Sequence, residues 1–346
     1  MGHGRQRASR RGGAVEVTVE RTVTKVPVTT LANGHVLELT LHELHGREAG
    51  PTLGVVAGIH GDEPLGPETV RRLLEQISSE PLRGTVLALP VANAYAFQAL
   101  TRNTPLDMSN LNRIFPGDPN GMLSEQLAHA ICSQLLDRCD AIIDFHSGGN
   151  LATVDYAYIH EDDIGLAHAF SCEILYRAPY FEGTFTAVAR ERGIHSVVSE
   201  LGGGQQLNVH YLEKGVRGAV SVMKALGMLP GEPTPPKEQT IVEELATLRP
   251  HQGGVMLSTV DPSHLGETVP RGTELARIVS PHTFEALEVI TAPFDPSIMI
   301  LTRQAVTTVN PGDYGIMVAN GATAKVVDPK ERLEGFALTP KDRVPV

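Results

Sequence analysis

Between residues 52 and 229, short and wholly apolar runs alternate with longer amphipathic stretches, and that alternation leaves few architectures open. TLGVVAGI (52–59), GTVLALP (84–90), AIIDF (141–145) and SVVSEL (196–201) read as buried-type strands. PETVRRLLEQI (67–77), LSEQLAHAICSQLLDRC (123–139), TAVARERG (186–193) and GVRGAVSVMKALGML (215–229) read as helices, the first opening at a proline. Strands alternating with helices predict an α/β fold with a largely parallel sheet flanked by helices. Upstream, residues 15–45 alternate in the β manner on either side of an Asn33-Gly34 turn. Downstream, PGEPTPPKEQ (230–239) is dense in proline and predicts a linker over 231–240. Residues 241–346 hold short strands punctuated by Gly, Pro and Asp, the pattern of a smaller all-β domain. The expected organisation is therefore a basic tail (1–14), an α/β domain (15–230), the linker, and a C-terminal β domain (241–346).

A chain of 346 residues is long enough to bury a core without staples. Its formal net charge of −11 disfavours nucleic acid or an anionic membrane as a partner. No apolar run approaches the ~18 residues of a membrane span. Cys132, Cys139 and Cys172 cannot build a disulfide framework, and the first two, seven apart in one apparent helix, read as small core residues. The tail carries Arg5, Arg7, Arg10 and Arg11 without a following apolar segment, so it reads as a disordered extension and not a secretory signal. The expectation is a soluble, cytoplasmic protein.

A histidine and a carboxylate three residues apart can reach one metal ion, but the spacing alone says little, since about one such pair is expected by chance in this chain. Five occur: His45/Glu48, His60/Glu63, His210/Glu213, His264/Glu267 and His282/Glu285. Only His60/Glu63 directly follows a buried-type strand, in GVVAGIHGDEPLG. Ligands of open α/β sheets collect at the carboxyl ends of the strands. The same logic picks His146 from AIIDFHSGG and Glu200 from SVVSELGGG. Two histidines and one glutamate form a catalytic zinc set that leaves a fourth position for water. Glu200 suits the role of a carboxylate that takes a proton from that water and passes it on. The polar stretch TRNTPLDMSNLNRIFPG (101–117) adds Arg102, Asn112 and Arg113. One arginine would stabilise a developing oxyanion and another would hold a substrate carboxylate in a bidentate fork; a solvated loop accounts for the same residues equally well. Ser221-x-x-Lys224 lies in an amphipathic helix without supporting motifs, and Gly202-Gly203-Gly204 lacks a phosphate-loop spacing.

GIHGDEP, NLNRIFPG, DFHSGG and SELGGG, in this order, resemble the succinylglutamate desuccinylase/aspartoacylase family of the zinc carboxypeptidase fold group. The likeness spans about residues 50–230, and the C-terminal β domain fits it. It implies one zinc ion (Zn2+) held by His60, Glu63 and His146, with Glu200 as general base and Arg102 polarising the scissile carbonyl. It further implies that Asn112 and Arg113 bind the carboxylate of a small N-acyl amino acid substrate, and it is compatible with a homo-oligomer. Asn110 stands where the family commonly has an acid. Tyr176 and Tyr180 are candidates for an aromatic ahead of Glu200, and Arg177 for a contact to an acyl carboxylate. The expected activity is zinc-dependent hydrolysis of a small N-acyl amino acid, with a lean towards the N-acetyl-diaminobutyrate deacetylase branch. A metallocarboxypeptidase acting on peptide C-termini and a non-catalytic zinc or small-molecule binding module are the alternatives.

Overall fold

The computed structural model describes residues 19–160, 164–203, 208–336 and 338. The basic tail expected over 1–14 and Gly204 lie outside the described residues.

The β-alternating start forms an antiparallel hairpin of β1 (Val19–Thr30) and β2 (Val36–Gly46). Gly34 supplies the positive φ of 80° in its turn, and His35 donates its backbone N–H to the Asn33 side chain at 3.0 Å. The apolar runs become β3 (Glu48–Ala57), β4 (Arg83–Leu89), β5 (Ala141–His146) and β8 (His195–Gly203). They lie side by side in the order β4-β3-β5-β8, all parallel.

The parallel register stops at both flanks. β2 runs antiparallel to β4, and β6 (Ala152–Ile159) runs antiparallel to β8. The connection from β5 to β6 is too short for a parallel crossover, so β6 must return in the opposite direction. β8 later fills the gap between them. The sheet is thus mixed, with the expected parallel strands at its centre.

Helices cover both faces, because successive strand residues point to opposite sides. Val55, Ala57, Ile143 and Phe145 meet α1 (Leu65–Ile77) and the helix Val209–Ala225 through Val70, Leu73, Ile77, Val222 and Met223. Val56 and Ile142 meet Leu127, Ile131 and Leu135 of the helix Leu123–Leu135, together with Phe185 and Val188 of the helix Phe185–Glu191. Each fully buried Leu, Ile or Val in these layers contributes about 1.5–3 kcal/mol. The first of those two helices ends at Leu135, short of the expected 139, so Cys132 lies in it and Cys139 beyond it. All three cysteines are buried and unbridged.

Beyond the proline-rich stretch the chain rejoins the sheet. Gln239–Val242 pairs parallel with β7 (Ile174–Arg177), and Ser297–Arg303 pairs antiparallel with β6. Ala286–Thr291, Glu274–Val279, Gly254–Ser258 and Val306–Val309 form a separate four-stranded antiparallel sheet. Among the described residues no helix is long and apolar enough to cross a membrane.

Candidate functional site

The chain leaves β3 through Gly58, whose φ of +64° turns it sharply away from the strand. Gly61 then packs on the backbone of Ala96 so closely that a Cβ would stand 1.8 Å from its carbonyl carbon. This tight passage sets His60 into the crevice at the sheet's carboxyl edge and delivers Glu63 just ahead of α1. His146 ends β5, and Glu200 is its register partner on β8, so both side chains project from one face.

Glu63 sits between the two imidazoles. Its Oε1 lies 2.9 Å from His60 Nδ1, and its Oε2 lies 2.9 Å from His146 Nδ1. The Ser147 backbone N–H donates to Oε2 at 3.2 Å, and Arg102 Nη1 reaches Oε1 at 3.4 Å. His60, Glu63 and His146 are 2%, 3% and 5% exposed, which keeps water from screening their charges. On the far side of each ring, His146 Nε2 faces Asp144 Oδ2 at 3.2 Å and His60 Nε2 faces Asn110 Oδ1 at 3.2 Å. Each Nε2 therefore carries the proton, and both Nδ1 atoms converge on Glu63.

That arrangement fits a cation. Burial pushes the His60 pKa down, with help from His146 and Arg102 and against the pull of Glu63, which favours the neutral ring that a metal needs. A His60 ring that donates through Nε2 turns its Nδ1 lone pair towards a carboxylate oxygen, an arrangement that a cation between them would satisfy. For His146, burial works downward but the Asp144 and Glu63 carboxylates outweigh it and raise the pKa well above the ordinary value. Burial opposes ionisation of Glu63, yet the two imidazoles hold it well below the usual carboxylate range. Asp144 Oδ1 is buried without a partner. The donor atoms of His60, Glu63 and His146 lie within 4.8 Å of one another, and no other His/Cys/Asp/Glu group of three among the described residues does so. Two imidazole nitrogens and a carboxylate oxygen are the donor set of catalytic zinc.

Glu200 is partly open to the crevice. Burial pushes its carboxyl up to about 8, the charges of Glu63 and Asp144 add to the effect, and His146 and Arg102 oppose it. Arg102 is half-exposed beside Glu63. Asn112 and Arg113 form the 3-10 turn Leu111–Arg113, capped by Asn110. Asn112 Oδ1 accepts from the Phe185 backbone N–H at 2.9 Å, while the Arg113 side chain is exposed.

Asp144 was not among the candidates read from the sequence. Its signal is present, since Asp144 and His146 are two apart on an otherwise apolar strand and must share a face. Tyr156 was also missed. It is the register partner of Glu200 on β6, and Tyr158 and Tyr176 follow in a row with ring centroids 5.4–6.4 Å apart. Tyr176 thus faces the site side, but Arg177 alternates to the opposite face of β7 and pairs with Glu243 at 3.4 Å, which removes it as a contact for an acyl group. Tyr180 is exposed and donates to Glu191. Ser221 Oγ is buried and accepts from the Thr234 backbone, a structural role. A Cβ at Gly203 would stand 1.8 Å from Ala152 O, so this glycine serves the close approach of two strands.

Residues 49–226 match the family model of the succinylglutamate desuccinylase/aspartoacylase catalytic domain. The N-alpha-acetyl-L-2,4-diaminobutyric acid deacetylase of Halomonas elongata is 30% identical over 247 residues, covering 67% of this chain and 71% of that protein. A succinylglutamate desuccinylase from a Silicibacter species superposes with a TM-score of 0.77 at 26% identity, over 90% of this chain and 98% of that one. The product-bound ectoine utilization protein of Ruegeria pomeroyi does so with a TM-score of 0.77 at 26% identity, over 87% and 95%.

Proposed function

This chain belongs to the succinylglutamate desuccinylase/aspartoacylase family, and from that premise we propose that it is a zinc-dependent deacylase of small N-acyl amino acids, with N-acetyl-2,4-diaminobutyrate as first candidate substrate. The observation that carries this reading is the buried His60–Glu63–His146 set with Glu200 next to it on the sheet. The catalytic unit is assigned to 15–230, the linker to 231–240 and the β unit to 241–346. The buried, unbridged cysteines support action in a reducing compartment, the cytoplasm.

His60, Glu63 and His146 would hold the ion, with Asp144 orienting His146. When bound, zinc supplies a Lewis acid that brings the pKa of water from ~15.7 to about 7. Glu200 takes a proton from the attacking water at its carboxylate and delivers it to the departing amine nitrogen. Burial makes this carboxyl more basic than an ordinary glutamate, and a cation bound beside it would favour the ionised form that accepts the proton. Arg102, only loosely held by Glu63 and half-exposed, donates to the carbonyl oxygen as negative charge develops there. Arg113 and Asn112 take the carboxylate of the amino acid, for which a guanidinium fork is well shaped.

The test is free-amine release by the zinc-loaded protein from N-acetyl-2,4-diaminobutyrate, N-acetyl-aspartate, N-succinyl-glutamate and acetylated dipeptides, with and without a chelator. Chelator-sensitive release from an acyl amino acid is the expected result. Release only of C-terminal residues from the peptides would move the assignment to a carboxypeptidase, and no release with zinc bound would overturn it.

A further inference from the structure

We propose that Asp107 is a positioning residue that keeps Arg102 and Arg113 in register, by clasping the segment between them to the start of the helix Leu123–Leu135. The inference rests on the substrate roles given to the two arginines above. Between them the chain closes on itself. Thr104 donates its backbone N–H to Ser109 O at 2.9 Å, and Met108 donates to Thr104 O at 2.8 Å. Arg102 stands on the arm that enters this closure, and the turn Leu111–Arg113 stands on the arm that leaves it. The entering arm is fixed beside the histidine loop, because Gly61 donates to Thr101 O at 2.9 Å.

Closure alone leaves the small ring free to swing, and Asp107 removes that freedom. Its Oδ1 accepts from the Ser109 N–H at 3.1 Å and from Ser124 Oγ at 2.9 Å, and its Oδ2 accepts from the Ser124 N–H at 2.8 Å. The hydroxyls of Thr104 and Ser124 lie 2.8 Å apart. A carboxylate only accepts, so Ser124 gives its single proton to Asp107 and receives the proton of Thr104. Thr104 Oγ1 in turn accepts from Asn93 Nδ2 at 2.9 Å. Asn93, Thr104 and Ser124 are all buried, and this one-way chain supplies the partners that burial demands. It runs from the N-cap of the helix Ala94–Ala99 to the first turn of Leu123–Leu135, so two helices hold the loop. Met108 shows that the shape is imposed. Its φ of 59° is unfavourable for a residue other than glycine, and its side chain is 71% exposed, so packing does not offset the strain.

Registration has value only while both arginines are present, which a double-mutant cycle reads directly. Asp107→Ala is expected to lower kcat/KM for N-acetyl-2,4-diaminobutyrate about 100-fold, the cost of a displacement of about 1 Å at a reacting centre. In an Arg113→Ala background the same change is expected to cost no more than about threefold. An equal loss in both backgrounds is what damage to the fold alone would produce, and it would overturn the proposal, as would an unchanged rate in the parent background. Ser124→Ala removes one donor and keeps the backbone contact, so it serves if Asp107→Ala does not fold. It should lower kcat/KM about tenfold with the same dependence on Arg113, and no loss would refute the clasp. Hydrogen exchange in the zinc-loaded parent needs no substitution. The Ser109 and Ser124 amides should exchange slowly, and fast exchange at both would refute the clasp as well. A parent protein that binds the acyl amino acid but releases no amine would sink the deacylase reading, while the same cycle run on the dissociation constant would still decide this one.

Discussion

Replacing Glu200 by Gln separates two consequences of one buried carboxyl. Glutamine keeps the shape and loses the ability to carry a proton, so an enzyme using Glu200 as its base should lose about 10²- to 10⁴-fold in kcat. That range corresponds to about 3–5.5 kcal/mol in the barrier, at 1.36 kcal/mol for each tenfold step. Stability should move the other way in the metal-free protein. Burial, reinforced by Glu63 and Asp144, pushes the Glu200 carboxyl up to about 8, whereas an unfolded chain ionises it near the ordinary glutamate value of about 4.3. Between those two values the folded state binds the extra proton, so its stability declines as pH rises through this window. At pH 7 the full linkage would be at most about 4 kcal/mol, and the opening of the crevice reduces it. Urea denaturation of the metal-free Glu200→Gln protein at pH 7 should therefore show a gain of about 1–2 kcal/mol that vanishes near pH 4.5. Zinc content should stay at that of the parent. A variant that keeps its turnover within tenfold refutes the base assignment, and one that is less stable at pH 7 refutes the burial argument.

Acidification should weaken zinc binding with a defined slope. In the Glu200→Gln background, the neutral His60 has no proton to displace and the raised pKa of His146 leaves one, so affinity should fall about tenfold per pH unit below that pKa. Competition titrations on both sides of neutrality check this, and a slope near zero or two contradicts it. Arg177→Ala should leave kcat/KM within about twofold and stability within about 0.5 kcal/mol, because Arg177 faces away from the crevice beside Glu243. A larger loss in steady-state assays would place Arg177 back in the site.

What the sequence revealed and what it hid follow from the distance over which each contact is encoded. His60, His146 and Glu200 each end a local apolar run, so the strand that delivers them and the residue delivered are neighbours in the chain. Asp144 was equally local, and the two-residue period of a strand would have been enough to place it beside His146. Asn110 is different, since it lies 50 residues from His60 and meets it only after the loop over 101–117 has folded across the crevice. Tyr156 reaches Glu200 only because β6 turns back antiparallel and β8 inserts next to it, a pairing that no local pattern in either strand specifies. The return of Ser297–Arg303 to β6 is of the same kind, because alternation predicts a strand but not its partner. The donor set of the site was thus legible because metal ligands cluster at strand ends. The groups that orient those ligands come from elements joined by tertiary contacts, and their burial imposes the stricter condition. A carboxylate or imidazole at 5% exposure or less must find its charge and hydrogen-bond partners inside the protein. Here His60 and His146 both converge on Glu63 in the interior, so the lone pairs gathered there argue for a metal site more strongly than the spacing His-x-x-Glu ever could.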